Sequence, residues 1–162
     1  MKFFTGLFVV ILFCQLLLGA LMRHRGIGLI IPDFPTSFGK LFPPFNNLPY
    51  NPNAPFPITY SEFKINVILT FTHRFLGFLI FLFASGILLG LRKYNWGDRR
   101  VIKLAMVIFF EIIFQIILGA LIISMQAPTI LTVLHTLVGA SILGLSVVFL
   151  LAIFKPSQLE NL

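Results

Sequence analysis

The chain has 162 residues, of which 58% are hydrophobic and only 10% charged, and its mean hydropathy is +1.00. A soluble domain of this length needs a charged surface, and these residues are too few to make one. The net charge of +7 would suit a nucleic-acid partner, but the cations gather at the ends of apolar runs, which is a membrane-topology signal and argues for no nucleic acid.

Four runs reach the ~20 helical residues that cross a bilayer core. They are Phe3–Met22, Ile65–Leu91, Leu104–Met125 and Thr129–Phe154. The expected fold is all-α: one membrane domain over 1–162, a polytopic four-helix bundle. The first run is long for a signal-peptide core and no small-residue cleavage pattern follows it, so it is read as a retained helix. It carries Cys14, the one cysteine of the chain. A lone cysteine allows no intramolecular disulfide and no C-x-x-C-H attachment, so any prosthetic group is held noncovalently by other ligands. Cys14 itself reads as a small apolar packing residue.

Arg23–Lys64 is the one substantial polar connection. It holds Pro32, Pro35, Pro43, Pro44, Pro49, Pro52, Pro55 and Pro57. Proline fixes φ and donates no backbone hydrogen bond, so an irregular cover with at most short helical pieces is expected. Its aromatic residues, among them Phe34, Phe38, Phe42, Phe45, Tyr50, Phe56 and Tyr60, suit packing onto the end of the bundle. The second connection, Arg92–Lys103, is short and dense in cations. Lys2, Arg92, Lys93, Arg99, Arg100, Lys103 and Lys155 fall on one side of a four-span topology, against Arg23, Arg25, Lys40 and Lys64 on the other. Short basic loops stay inside, so both termini read as cytoplasmic and the 23–64 loop as lying on the outer face. Lys155–Leu162 reads as a frayed tail.

The chain also repeats itself. "QLLLGALM" at 15–22 matches "QIILGALI" at 115–122, and "HRFLG" at 73–77 matches "HTLVG" at 135–139. The first and second helices and the third and fourth therefore read as two copies of one hairpin, related by an axis along the membrane normal.

Polar residues inside a span are expensive and usually face the bundle interior. At 1.5 Å per residue, Gln15 and His135 lie roughly 10 Å from the outer helix ends, His73 roughly 12 Å and Gln115 roughly 15 Å. Two histidines and two glutamines thus share one layer. Haem iron takes axial histidines from opposite sides, and Gly77 and Gly139 stand at i+4 from the histidines, where a missing side chain leaves room for a macrocycle. Gly19 and Gly119 stand likewise to the glutamines, where close helix packing is an equal use. The competing reading of the histidines is a hydrogen-bonded interhelical contact. A bare metal ion lacks thiols or carboxylates in this layer to complete a tetrahedral site. Arg74 either snorkels to the headgroups or meets a haem propionate, with Arg23, Arg25 and Lys64 as further cations at the boundary. His24 reads as interfacial. Glu111, one turn from Gln115, either relays protons or hydrogen-bonds Gln115.

These residues resemble the heme A synthase family, cytochrome oxidase assembly proteins that convert heme O to heme A. The resemblance rests on "LGALMR", on "GLIIPDFPTSFGKLFPP" at 28–44, on "EFK" at 62–64 with "HR" eleven residues after the glutamate, and on "QIILGAL" and "LHTLVGA". It implies that His73 and His135 are the haem-binding pair of one half; on the spacing read above, Arg74, Gly77, Gly139, Gln15 and Gln115 would surround a haem of b, O or A type. It also implies an oxidoreductase that turns a haem methyl into a formyl group with oxygen and an external electron donor, among oxidase assembly partners. The setting implied is a prokaryotic plasma membrane. Members usually have eight helices in two halves, so a homo-oligomer, at least a dimer, would restore four histidines. The loop cysteine pair of many members is replaced by Ile31 and Ser37. Thr70 stands where many members carry a glutamate three residues before the first histidine. The resemblance therefore implies haem binding more directly than methyl oxidation. The alternative is a non-enzymatic b-type cytochrome or haem carrier.

Overall fold

The computed structural model describes residues 2–53, 58–94 and 99–154. Four helices follow in order: α1 (Lys2–Arg25), α2 (Tyr60–Lys93), α3 (Arg99–Ser124) and α4 (Thr129–Phe154). All four are long and apolar enough to cross a membrane. With the family membership established below, the chain is an integral membrane protein. Pro55, Phe56 and Pro57 of the long connection, part of the 92–103 connection, and the 155–162 tail lie outside the described residues.

The helix ends differ from the apolar runs for local reasons. α2 starts five residues before Ile65 because Thr59 and Glu62 form a capping box. The Thr59 hydroxyl accepts from the Glu62 N–H at 3.2 Å, and the Glu62 carboxylate accepts from the Thr59 N–H at 2.8 Å. This satisfies donors that a helix start leaves open. α1 runs past Met22 and stops at Gly26, whose φ of +65° suits glycine. The Ile27 N–H then bonds back to the Met22 carbonyl, and the Gly26 N–H to that of Arg23, both at 3.1 Å. This is a Schellman ending, sealed by burial of Met22 and Ile27. Residues 125–128 join α3 to α4, with Gln126 and Ala127 in the left-handed region at φ 60° and 56°.

The helices form a ring. α1 packs on α2 and α4, and α3 packs on the same two, while among the described residues the backbones of the diagonal pairs do not approach. The main core lies toward the end where the chain begins and includes Phe8, Leu12, Ile80, Ala84, Ile108, Ile112, Ile142 and Phe149. Phe8 stacks on Phe83 at 5.8 Å. In lipid such contacts gain from close packing rather than from escape from water. A second cluster at the loop end joins Ile31 and Leu48 of the long connection to Val67 of α2. Phe42 and Phe45 also lie against Phe71. The irregular proline-rich connection is thus a packed cover on the bundle end. The histidine layer falls between the two clusters.

Candidate functional site

His73 comes from α2 and His135 from α4, the two helices on one diagonal of the ring. Gln15 and Gln115 come from the other diagonal, α1 and α3. The same contact occurs on both sides. Gln15 Nε2 donates to the His73 main-chain carbonyl at 3.0 Å, and Gln115 Nε2 donates to that of His135 at 2.8 Å. Gln15 Nε2 also lies 3.5 Å from His73 Nε2.

The glycines explain how four helices approach this closely. A Cβ at Gly19 would meet His73 Cε1 at 3.2 Å, and one at Gly119 would meet His135 Cε1 at 3.4 Å. The imidazole edges therefore rest on α1 and α3. A Cβ at Gly77 would meet Gln15 Nε2 at 3.4 Å, and one at Gly139 would meet Gln115 Nε2 at 3.0 Å and Leu16 Cδ2 at 3.1 Å. The space beside Gly77 and Gly139 thus holds the glutamine amides. Gly19 and Gly119, for which the sequence leaves ring space and helix packing both open, lie against the imidazoles.

Four buried polar atoms of this layer have no hydrogen-bond partner: His73 Nδ1, His135 Nδ1, Gln15 Oε1 and Gln115 Oε1. A buried polar atom left unmade costs about 1–3 kcal/mol. Four of them lie here as two matching pairs, one imidazole nitrogen and one amide oxygen on each side, and orphaned buried polar groups in a folded chain call for an explanation such as a bound group or water. Two imidazoles on opposite helices can take the two axial positions of a metal centre that brings its own equatorial donors. The donor set fits a bis-histidine haem.

Arg74 reaches into the long connection. Its Nη1 donates to the carbonyls of Asp33 at 2.7 Å and Thr36 at 3.3 Å, and its Nη2 donates to that of Ile31 at 2.7 Å. The guanidinium is a staple for the long connection. Asp33 shapes the same segment from within, accepting from the Thr36 hydroxyl and from the N–H groups of Phe38 at 2.7 Å and Gly39 at 2.8 Å. Partial burial pushes the Asp33 carboxyl up, but these bonds outweigh it and hold the carboxyl below its ordinary value.

A model of the COX15-CtaA family, described as cytochrome oxidase assembly protein, matches residues 1–147. The chain belongs to the cytochrome oxidase assembly protein family. It is 27% identical over 127 residues to a heme A synthase of Ruegeria sp. (strain TM1040), covering 78% of this chain and 31% of that protein. It is 25% identical over 156 residues to a heme A synthase of Wolbachia pipientis wMel, covering 96% of this chain and 41% of that protein. The chain therefore spans about a third to two-fifths of these relatives' length. No solved structure matches it.

In this cytochrome oxidase assembly family member, other polar residues near the site have partners that spacing did not reveal. Thr70 is fully buried and its hydroxyl donates to the Ile27 carbonyl at 3.4 Å. Arg25 Nη1 donates to Asn66 Oδ1 at 3.0 Å, and Arg23 Nη1 to the Thr136 hydroxyl at 3.3 Å. Those two cations tie α1 to α2 and α4. His24 and Cys14 are exposed. Glu111 is bonded by the Ser141 hydroxyl rather than by Gln115. A cavity of about 460 Å³ lies between Pro32–Phe34 of the cover and the stretch of α3 from Ile117 to Ser124, and its lining includes neither histidine.

Proposed function

We propose that this chain binds a noncovalent haem with His73 and His135 as axial ligands, and acts in heme A formation or in oxidase assembly. The observation that carries the reading is the pair of half-buried imidazoles on diagonal helices, each with a buried, unpartnered Nδ1. Family membership points the same way, since the curated relatives bear the name heme A synthase. A bound haem would supply iron chemistry toward oxygen and electrons, as cofactors generally carry the hard chemistry.

The chain's own residues supply the rest. Gln15 and Gln115 pin the main chain of each histidine, which fixes where each ring sits along its helix. Gly19 and Gly119 leave room for the imidazole edges to rest against α1 and α3. The two flanking apolar clusters exclude water from the layer. Arg74 holds the cover closed one residue from His73. A carboxylate arriving near it would compete with three loop carbonyls for the guanidinium, a contest that a charge-assisted pair can win.

The matching bonds at Gln15–His73 and Gln115–His135 support reading the bundle as two copies of one hairpin. The basic residues of the 92–103 connection support placing it in the cytoplasm, with the cover on the outer face. The oxidation step is the part that Thr70 qualifies. This buried hydroxyl serves the Ile27 carbonyl, in the position where many relatives have a carboxylate.

The test is a visible absorption spectrum of the purified chain beside His73→Ala and His135→Ala. A Soret band in the wild type that is shifted or lost in both variants is expected. A wild type without that band, purified from cells making haem, would refute the reading. Pigment extracted from cells that make heme O then separates the two activities. A hydroxylated or formylated product marks an oxidase, and unaltered heme marks a cytochrome or carrier.

A further inference from the structure

The long connection descends along α2. Tyr50 lies on Tyr60 and Phe63, with ring centroids 5.6 and 5.7 Å apart. Leu48 packs with Val67. Phe42 and Phe45 lie on Phe71, at 5.6 and 6.2 Å. Phe71 is about 12 Å further along the helix than Phe63. The apolar run Ile65–Leu91 measures about 40 Å at the same rise, against a hydrocarbon core of about 30 Å. About 5 Å at each end therefore belongs to the headgroup region. Phe71, about 9 Å from Ile65, lies a few ångströms inside the hydrocarbon. An irregular segment thus reaches down to the level of the acyl chains.

The side chains at this low point are apolar and open. Leu41 is 78% exposed and Phe42 62%. The patch runs on into α2, where Phe71 stacks on Phe75 at 6.1 Å. Phe75, Phe78 and Leu82 then follow at i+3 and i+4 spacing, all exposed, as on a helix face turned to lipid. Irregular backbone can come this close to hydrocarbon only where the protein itself satisfies its polar groups. The turn before Leu41 is built that way. Ser37 and Lys40 exchange main-chain bonds at 2.7 and 3.3 Å. The N–H groups of Phe38 and Gly39 donate to the Asp33 carboxylate, and Arg74 donates to the carbonyls of Ile31, Asp33 and Thr36. After Phe42, Pro43 and Pro44 have no N–H to satisfy, and the Phe45 N–H donates to the Pro43 carbonyl at 2.8 Å.

We infer that the tip of the cover, Gly39–Phe42, is a membrane anchor, with Leu41 and Phe42 among the upper acyl chains and Lys40 at the lipid phosphates. Depth selects the occupant. A soluble partner would meet the cover from the water side, whereas Phe42 rests on a residue below the hydrocarbon boundary. Continuity with the exposed stripe of α2 selects it again, because the lipid that covers Phe75 and Phe78 also covers Phe42. Lys40 is exposed beside Leu41, and a lysine at this level can lay its stem on apolar surface while its ammonium reaches a headgroup. The Asp33 and Arg74 bonds then have a second use. They replace the water that the turn gives up at the bilayer surface. The inference rests neither on the haem reading nor on which side of the membrane the cover faces.

The experiment uses the full chain with its one tryptophan removed, Trp96→Phe, in phosphatidylcholine vesicles. A single tryptophan is returned as Leu41→Trp or as Phe42→Trp, so that failure of one variant to fold leaves the other. Asn53→Trp, exposed and close in sequence to Tyr50 at the upper level, is the water-side control. Phe78→Trp, exposed on α2, is the deep control. Circular dichroism checks the helices of each. Fluorescence is quenched by phosphatidylcholine brominated either near the headgroup or near the chain end, and separately by iodide in the water. Tryptophan at 41 or 42 should be quenched several-fold more than at 53 by the lipid brominated near the headgroup, and less by iodide. Phe78→Trp should respond most to the lipid brominated near the chain end. Tryptophans at 41 and 42 that respond to lipid no more than the one at 53 would overturn the inference. Emission at 41 and 42 that is blue-shifted but unquenched by either lipid would assign the patch to a protein partner, and would overturn it too.

Discussion

Replacing Arg74 by alanine tests whether the cover is held by one side chain. Three carbonyls lose their donor, those of Ile31, Asp33 and Thr36. Ile31 is fully buried, so water cannot replace the guanidinium there, and an unpaired buried acceptor costs about 1–3 kcal/mol. Asp33 and Thr36 are half-buried. Their carbonyls can turn to water, and each loses at most about the net value of an ordinary hydrogen bond, near 1 kcal/mol. The total is about 1–5 kcal/mol against opening of the segment. At 1.4 kcal/mol per tenfold, this makes opening roughly 5- to 4,000-fold more frequent. Hydrogen exchange reads it directly, because local opening sets the rate at protected amides. The amides to follow are Ser37, bonded to the Lys40 carbonyl at 2.7 Å, and Phe38 and Gly39, bonded to the Asp33 carboxylate. They should exchange faster by that factor, while α2 between Ile80 and Leu91 is unchanged. Arg74→Lys should fall between, since an ammonium lacks the planar fork that spans separate acceptors. Unchanged exchange at 37–39 in Arg74→Ala would refute the staple.

Acid should loosen the same segment. The Asp33 carboxyl is held below its ordinary value of 3.8, so its contribution is complete above that pH and is lost as pH falls below it toward the folded value. Exchange at Phe38 and Gly39 should rise on acidification through this window, after correction for intrinsic rates, and Asp33→Asn should flatten the rise. Gly139→Ala places a methyl 3.0 Å from Gln115 Nε2 and 3.1 Å from Leu16 Cδ2. Overpacking of this kind costs about 1–3 kcal/mol, read as a lower melting temperature in detergent, whereas Ala at Gly86, with nothing within 4 Å, should not lower it. Thr70→Glu puts a larger acidic side chain into a fully buried position and removes the donor to the Ile27 carbonyl. It should lower the melting temperature. Extracted pigment from the same variant shows whether a carboxyl at this position is what methyl oxidation requires.

Much of this was legible without a fold. The length of each apolar run reports a span because bilayer thickness is a fixed ruler. The order Gln, Gly, His, Gly, twice, reports a shared layer because depth follows from residue count alone. Helix limits were less legible. α2 begins at Tyr60 rather than Ile65 because a capping box, not hydropathy, decides where the backbone turns. The described part of the proline-rich connection is irregular and packs on the bundle, in keeping with fixed φ and aromatic content, which are local properties.

The sequence by itself determined which residues lie at one depth and which share one face of their own helix. It did not determine how each face is rotated toward its neighbours. That rotation sets Gly19 and Gly119 against the imidazoles and gives the space beside Gly77 and Gly139 to the glutamines. It also turns Glu111 toward Ser141 and away from Gln115. Arg74 is the plainest case. Its partners are main-chain carbonyls of an irregular segment some forty residues earlier. A carbonyl carries no side-chain signature, so only the folded chain could show that this arginine holds the cover in place.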